Sequence, residues 1–293
     1  MKPAKFEYFS PVSIDDAVAV RTAHPGAAIL AGGQSLLPIM NFRLGHPEHV
    51  IDIGKVRELA YVRSSPDEVV VGSMTRQRDL ERDASALRAN PLIRETLLLV
   101  AHPVVRNRGT VGGSIAHADP AAELPTLLAC LGGTVEVAGP RGRRTIAASD
   151  LFVFHLTTSI EPAEVLVSVS FPALGASWGW SFVEVSRRHG DFALAGVCCA
   201  LQLDEARHVQ AVRMAACGIS STPLRLTAAE EVLVSRDVSE GSVREAGRAA
   251  ANYVTAQDET QASTAYRKQL LGELVGRAVR SAANRAGRGG DYR

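Results

Sequence analysis

Ala31-Gly32-Gly33-Gln34-Ser35 follows an apolar run at residues 28–31 that reads as a buried strand. The glycine pair ends that strand abruptly, and residues 36–44 read as a short helix. A second stretch of similar build, Thr110-Val111-Gly112-Gly113-Ser114, also leads toward a helical segment. Paired glycines permit positive φ and leave no Cβ between the backbone and a ligand. Consecutive N–H groups in such a turn can converge on an anion. A following helix N-terminus adds partial positive charge. Ser35, Thr110 and Ser114 supply hydroxyl donors. Two such loops can hold a pyrophosphate without a Lys or an Arg.

Outward from these loops, Ser13 to Asp16 read as a capping box before an apolar-periodic helix at 14–23, which Pro25-Gly26 ends. Residues 50–53 are a strand, so the first 55 residues read as a compact β–α–β–loop–α–β unit. A strand is expected at 69–72, a helix capped by Thr75 and running through Arg82, and another helix at 91–101. Residues 106–114 are rich in glycine and polar side chains and are expected to be irregular. A helix at 120–131 and strands at 134–137 and 165–171 follow, with turn chemistry at Gly139-Pro140. Residues 172–176 read as a boundary. Beyond it come strands at 178–185, 194–203 and 209–217, then helices at 228–234, 243–254 and 264–283. Strands followed by helices predict a separate α+β domain. The expected division is 1–176 (subdomains about 1–57 and 58–176), 177–284, and a flexible tail at 285–293.

The chain has 293 residues, with 32 Lys+Arg against 31 Asp+Glu, a formal net charge of +1. That balance argues against nucleic acid as the main partner. No apolar run approaches the roughly 20 residues that span a bilayer. The start, MKPAKFEYFSPVSIDD, lacks a signal-peptide apolar core, so a cytoplasmic location is expected. Cys130, Cys198, Cys199 and Cys217 form no C-x-x-C pair and read as buried small hydrophobes in a reducing compartment. Cluster and zinc sites need several thiolates at suitable spacing. No G-x-G-x-x-G, G-x-x-x-x-G-K-[ST] or H-E-x-x-H is present. Ser35 is not a nucleophile elbow, because Leu37 stands where the second Gly belongs. His117 and Asp119 lack a nearby third metal ligand and read as a polar loop pair. No catalytic residue and no metal ligand is therefore assigned. Redox work by this chain would need an organic cofactor or a partner carrying metal.

The run AGGQSLLPIMNFRLGHPEHVIDIGKV (31–56) resembles the flavin-binding, or medium, subunit of molybdenum hydroxylases. Carbon monoxide dehydrogenase medium subunits and the flavin domain of xanthine dehydrogenase belong to this family. RNRGTVGGSIAHADPAAELP (106–125) resembles its second flavin motif. SRRHGDFALAGV (186–197) and YRKQLLGELVGRAV (266–279) resemble its C-terminal domain. The resemblance spans almost the whole chain, in order. It implies an α+β fold: a two-part FAD-binding domain of the vanillyl-alcohol-oxidase/PCMH type, then a smaller C-terminal domain of antiparallel sheet plus helices. It implies FAD on this chain, wrapped by Ala31, Gly32, Gly33, Gln34 and Ser35 and by Thr110, Val111, Gly112, Gly113 and Ser114. Glu123 matches an acidic position near the flavin's polar chain, and Leu166 an apolar strand position lining the flavin pocket. Val183 falls where some relatives carry Lys, so an ionic contact made there is lost. Gln34 replaces the His that carbon monoxide dehydrogenases often show, which disfavours carbon monoxide as substrate of the assembly.

The resemblance further implies a small partner subunit with [2Fe-2S] clusters and a large one with the molybdopterin cofactor. Electrons would pass through the clusters to FAD, then to NAD, a quinone, oxygen or another acceptor. Two other readings stand beside it: a self-contained flavin-dependent reductase of related fold, and a ligand-binding module without FAD. Several residues stay open at the level of sequence. Asp191 and Phe192 are either a flavin-side or partner loop, or a polar turn. Trp178 and Trp180 either stack on a cofactor or pack a core. Arg106 and Arg108 either meet adenine or phosphate, or are salt-bridged or solvated.

Overall fold

Strands and helices alternate along the first 55 residues: β1 (Glu7–Phe9), α1 (Ile14–Ala23), β2 (Ala28–Leu30), α2 (Leu36–Asn41) and β3 (His49–Asp52). The computed structural model describes residues 2–255, 258 and 261–286. These three strands are parallel, in the order β1-β3-β2, with Leu30 opposite Asp52. The first glycine loop therefore leaves the carboxyl end of an edge strand, where open parallel sheets present ligand sites. The Ser13 hydroxyl caps α1 by accepting from the Asp16 N–H at 3.1 Å. α2 is shorter than expected: Arg43 takes a left-handed conformation (φ 57°) just beyond Asn41.

The second part runs β4 (Val62–Ser64), β5 (Glu68–Gly72), α3 (Gln77–Leu80), α4 (Ala84–Ala89), α5 (Leu92–Leu99), α6 (Pro103–Arg106), α7 (Val111–His117) and α8 (Glu123–Leu131). It continues through β6 (Thr134–Gly139), β7 (Gly142–Ala147), α9 (Ala148–Leu151), β8 (Phe152–Phe154), β9 (Thr157–Thr158) and β10 (Val165–Pro172). Its main sheet is antiparallel, in the order β4-β5-β10-β6-β7. Thr75 does not cap a helix. Its hydroxyl accepts from the Tyr61 N–H (3.0 Å) and donates to the Tyr61 carbonyl (2.8 Å). Residues 106–114 are irregular only at 107–110, between α6 and α7. Thr110 caps α7 by accepting from the Gly113 N–H at 3.0 Å, so the glycine pair lies in a helical first turn. A well-placed cap and burial of Val111 and Ile115 outweigh the poor helix propensity of glycine here.

The last part is an antiparallel sheet, β11 (Trp178–Ser186), β12 (Ala193–Leu203), β13 (Val209–Cys217) and β14 (Leu224–Arg225), in that order, followed by α10 (Thr227–Leu233), α11 (Glu240–Ala251) and α12 (Thr264–Arg285). β12 is apolar almost throughout because both its faces are covered. Cys198 and Ala200 join the core shared with α5, α8 and the five-stranded sheet, whereas Ala195, Val197, Cys199 and Leu201 pack beneath α10–α12. The adjacent cysteines thus point into different cores, as the two-residue period of a strand requires. All four cysteines are buried and free. The architecture is the expected α+β arrangement. One boundary needs correction: α12 includes Arg285, placed in the expected tail. Its guanidinium pairs with Glu95 and donates to the Trp180 carbonyl at 2.8 Å. Residues 287–293 of that tail lie outside the described residues.

Candidate functional site

A cavity of about 540 Å³ lies where the three parts meet. Ala31 through Ser35 form one wall, Thr110, Gly112, Gly113 and Ser114 another, and Gly190, Asp191 and Phe192 reach it from the connection between β11 and β12. Glu123 at the start of α8 and Leu166 of β10 also line it. The volume falls within the roughly 300–1,000 Å³ of ligand-holding clefts. The structure thus gathers onto one cavity every predicted binding residue but Val111. That side chain is fully buried in the core, because the first turn of α7 directs it inward, away from the cavity.

The two glycine loops touch each other. A Cβ on Gly32 would lie 2.5 Å from the Arg108 carbonyl oxygen and 2.9 Å from Gly109 Cα. Gly33 adopts φ +73°, which turns the chain out of β2. The loops nevertheless differ in what they offer. The N–H groups of Gly32, Gly33, Gln34 and Ser35 make no hydrogen bond among the described residues. In the second loop the amides are already engaged: Val111 donates to Thr75, Gly112 to Ser73, Gly113 to the Thr110 hydroxyl and Ser114 to the Thr110 carbonyl. The first loop therefore presents a run of free donors. The second contributes a close backbone and the Ser114 hydroxyl.

Other polar groups converge on the cavity. Ser73 Oγ, Gln77 Oε1, and Nε and Nη1 of Arg21 are buried without a hydrogen-bond partner among the described residues, and all three residues line it. Burial lowers the Arg21 guanidinium pKa. Sequence reading missed these residues. Arg21 stands in a mostly exposed helix, and only its place relative to the cavity, a tertiary fact, singles it out. Glu123 is 6 % exposed. Burial, reinforced by the Glu184 carboxylate, pushes its pKa up to about 8. Burial lifts Glu184 to about 7. His117 is pushed down by burial, which outweighs the opposing pull of Asp119. His117 and Asp119 both line the cavity, and no cluster of three potential metal ligands exists among the described residues.

Most of the open residues now have places, and Arg108 does not line the cavity. Asp191 and Phe192 border the cavity. Trp178 and Trp180 pack against the core and do not line it. Arg106 is buried and ion-paired: its Nε donates to Glu81 at 2.8 Å, and its Nη1 to the carbonyls of Val100 (2.8 Å) and Ala101 (3.2 Å). Ala101, held by that contact, adopts φ 43° on the cavity wall. Arg106 thus shapes the wall from behind.

The cavity fits a dinucleotide cofactor of the FAD type on its own terms. Free amides and an unpaired guanidinium suit an anionic linker. Unpartnered Ser73 and Gln77 atoms await polar partners, and Ile29, Ile53, Ile160 and Leu166 supply apolar walls.

Comparison with known proteins agrees with this geometry. Residues 4–174 match the family described as the FAD binding domain in molybdopterin dehydrogenase, and residues 180–282 match the CO dehydrogenase flavoprotein C-terminal domain. The chain is 37% identical to the 6-hydroxypseudooxynicotine dehydrogenase complex subunit alpha of Paenarthrobacter nicotinovorans, covering 98% of this chain and 97% of that one. It is 34% identical to the caffeine dehydrogenase subunit beta of Pseudomonas sp. strain CBB1, covering 97% of each. Among solved structures, a chain of carbon monoxide dehydrogenase from Hydrogenophaga pseudoflava superimposes with a TM-score of 0.95 at 36% identity, covering 98% of this chain and 100% of that one.

Proposed function

We propose, from the premise that this chain belongs to the family of FAD-binding medium subunits of molybdenum hydroxylases and is an oxidoreductase flavoprotein subunit, that its cavity holds FAD across the two glycine loops. The observation that carries this is the contact between the loops at Gly32, which sets residues 32–35, with their amides free among the described residues, on the wall of a cavity also lined by Arg21 and Ser114. The free N–H groups and Arg21 would hold the pyrophosphate; Ser114, Thr110 and Glu123 would meet the polar chain, and Leu166 would pack on an apolar part. Val111 supports the second loop from the core.

FAD, when bound, supplies the redox chemistry that links [2Fe-2S] clusters of a small partner subunit to an external acceptor such as NAD, a quinone or oxygen. The substrate would be oxidised on a large molybdopterin subunit, so this chain needs no acid, base or nucleophile of its own. A cytoplasmic assembly fits this reading, and among the described residues no helix is long and apolar enough to cross a membrane. The domain division belongs to the same proposal, at 176/177, with the second domain now extended through α12.

Two measurements test it. The purified full chain should show flavin absorption bands, or take up one FAD per chain. A colourless chain that takes up no FAD would overturn the reading. Native purification should bring down iron–sulfur and molybdenum-containing subunits, whereas an active flavoenzyme isolated alone would favour a self-contained reductase.

A further inference from the structure

Glu184, Gly196 and Cys217 stand side by side on β11, β12 and β13, since Glu184 pairs with Gly196 and Gly196 with Cys217. They share the face of Phe182 and Cys198, which packs toward α8. Gly196 makes room for the row: a Cβ there would lie 2.7 Å from Cys217 Sγ and 3.1 Å from Glu184 Cβ. The Gly218 N–H donates to the Pro120 carbonyl at 2.9 Å, tying the end of β13 to the approach to α8. Glu123 opens α8 directly after that approach. Its side chain lines the cavity, is more than nine-tenths buried, and makes no hydrogen bond to another described residue. Glu184 Oε2 is likewise buried without a partner among the described residues. The register and the Gly218 bond thus bring Glu184 and Glu123 to the same junction of β13 with α8 between the domains, neither carboxyl bonded to another described residue, and Glu123 forms cavity wall.

Two carboxylates in a low-dielectric setting resist ionising together. The surroundings relieve them only in part: the Glu123 carboxyl accepts from its own backbone N–H, which favours the anion but does not offset burial. Asp119, ahead of α8, adds negative charge. Arg106 of α6 favours the anion, but its guanidinium is bonded to Glu81 and to carbonyls. Glu95 of α5 is bound to Arg285 and to the Phe182 N–H, and Arg225 of β14 is bound to Glu230. The thiols of Cys198 and Cys217 are held protonated by burial, and burial pushes His117 of α7 toward its neutral form.

We propose that Glu184 is a positioning residue that, together with burial in the cavity wall, keeps the Glu123 carboxyl protonated, so that Glu123 meets the cofactor as a hydrogen-bond donor and cofactor uptake depends on that proton. This rests on the reading of the cavity as an FAD site. A neutral acid can donate to the cofactor's oxygens without setting a second anion against its pyrophosphate. An ionised Glu123 would do the reverse.

The test is the pH dependence of FAD binding to the full chain stripped of flavin, followed by quenching of flavin fluorescence. For the wild type, Kd should be level below a break near the Glu123 pKa of about 8. Above it, Kd should rise about tenfold per pH unit. Glu184→Gln should move the break about one pH unit lower, and Glu123→Gln should abolish it. A wild-type profile that is flat across that range, or a break unmoved in Glu184→Gln, overturns the proposal. Failure of the wild type to bind FAD at any pH overturns the cavity reading instead. Infrared spectra of the flavin-free wild type give a readout independent of binding and of the folding of Glu184→Gln. A protonated-carboxyl band should persist at neutral pH and weaken in Glu123→Gln. Its absence from the wild type overturns the proposal.

Discussion

Replacing Gly32 by Ala tests how the two loops cooperate. The new methyl carbon would sit 2.5 Å from the Arg108 carbonyl oxygen, 2.9 Å from Gly109 Cα and 3.1 Å from the Thr110 nitrogen. Carbon–oxygen contacts settle near 3.3–3.6 Å, so the loops must part by about 1 Å. The atoms in the way are backbone, and that backbone is held. The Gln77 N–H donates to the Gly109 carbonyl at 2.9 Å, the Val111 N–H to the Thr75 carbonyl at 3.0 Å, and Arg76 bonds to the Arg108 carbonyl. Overpacking of this kind costs about 1–3 kcal/mol. For a chain of this size that lowers the melting temperature by roughly 2–6 °C. Binding should suffer more, because parting the loops changes the spacing of the cavity walls that carry residues 32–35 and Ser114. Losing one charge-assisted hydrogen bond costs about 1.5–3 kcal/mol, which is roughly a 10- to 100-fold weaker Kd. The comparison is Gly26→Ala, whose methyl meets nothing within 4 Å. Thermal melts and flavin fluorescence titrations of both variants give the answer. If Gly32→Ala melts within about 1 °C of Gly26→Ala and binds FAD within about twofold of it, the loops are not coupled as described.

Arg106→Ala leaves buried Glu81 with only Arg78 as partner among the described residues, so urea unfolding should show a loss near the lower end of the 3–5 kcal/mol typical of a broken buried pair, about 3 kcal/mol. Arg144 donates to both Glu164 oxygens at 2.7 Å and holds that carboxyl below its usual range, although burial opposes the shift. The pair stabilises the fold above the ordinary carboxylate pKa of about 4.3, and that contribution is lost as pH falls through the depressed folded value. Glu164→Gln should therefore melt lower than wild type at neutral pH, with the gap closing in acid. A gap that widens in acid would refute the sign. Burial pushes the Cys198, Cys199 and Cys217 thiols well up, and Cys130 is buried as well. A thiol reagent should label none of the four in the folded chain and all four after unfolding.

Much of this was legible in the residues. Strand and helix periodicity located the long C-terminal elements to within a few residues, because each buries at least one continuous apolar face. The short elements were not legible. β4, β8 and β9 have two or three residues each, too few for a period. β7 reads GRRTIA because most of its residues are exposed. Thr110, read as a hydroxyl donor for a ligand, caps α7. Thr75, read as a cap, bonds across to Tyr61.

The same division runs through the site. Paired glycines and neighbouring hydroxyls determine by themselves that two loops lack Cβ bulk and carry donors, since that is a property of residue type. Which loop keeps its donors free is a tertiary result: the second loop's amides are claimed by Ser73, Thr75 and Thr110, and the first loop's are not. The sequence determines that Glu123 and Glu184 are carboxyls. Only the strand register that sets Glu184 beside Gly196 and Cys217, on the face that packs against α8, brings the two to the same junction between the domains. Charge depends on dielectric and neighbours, and both are decided where distant segments meet.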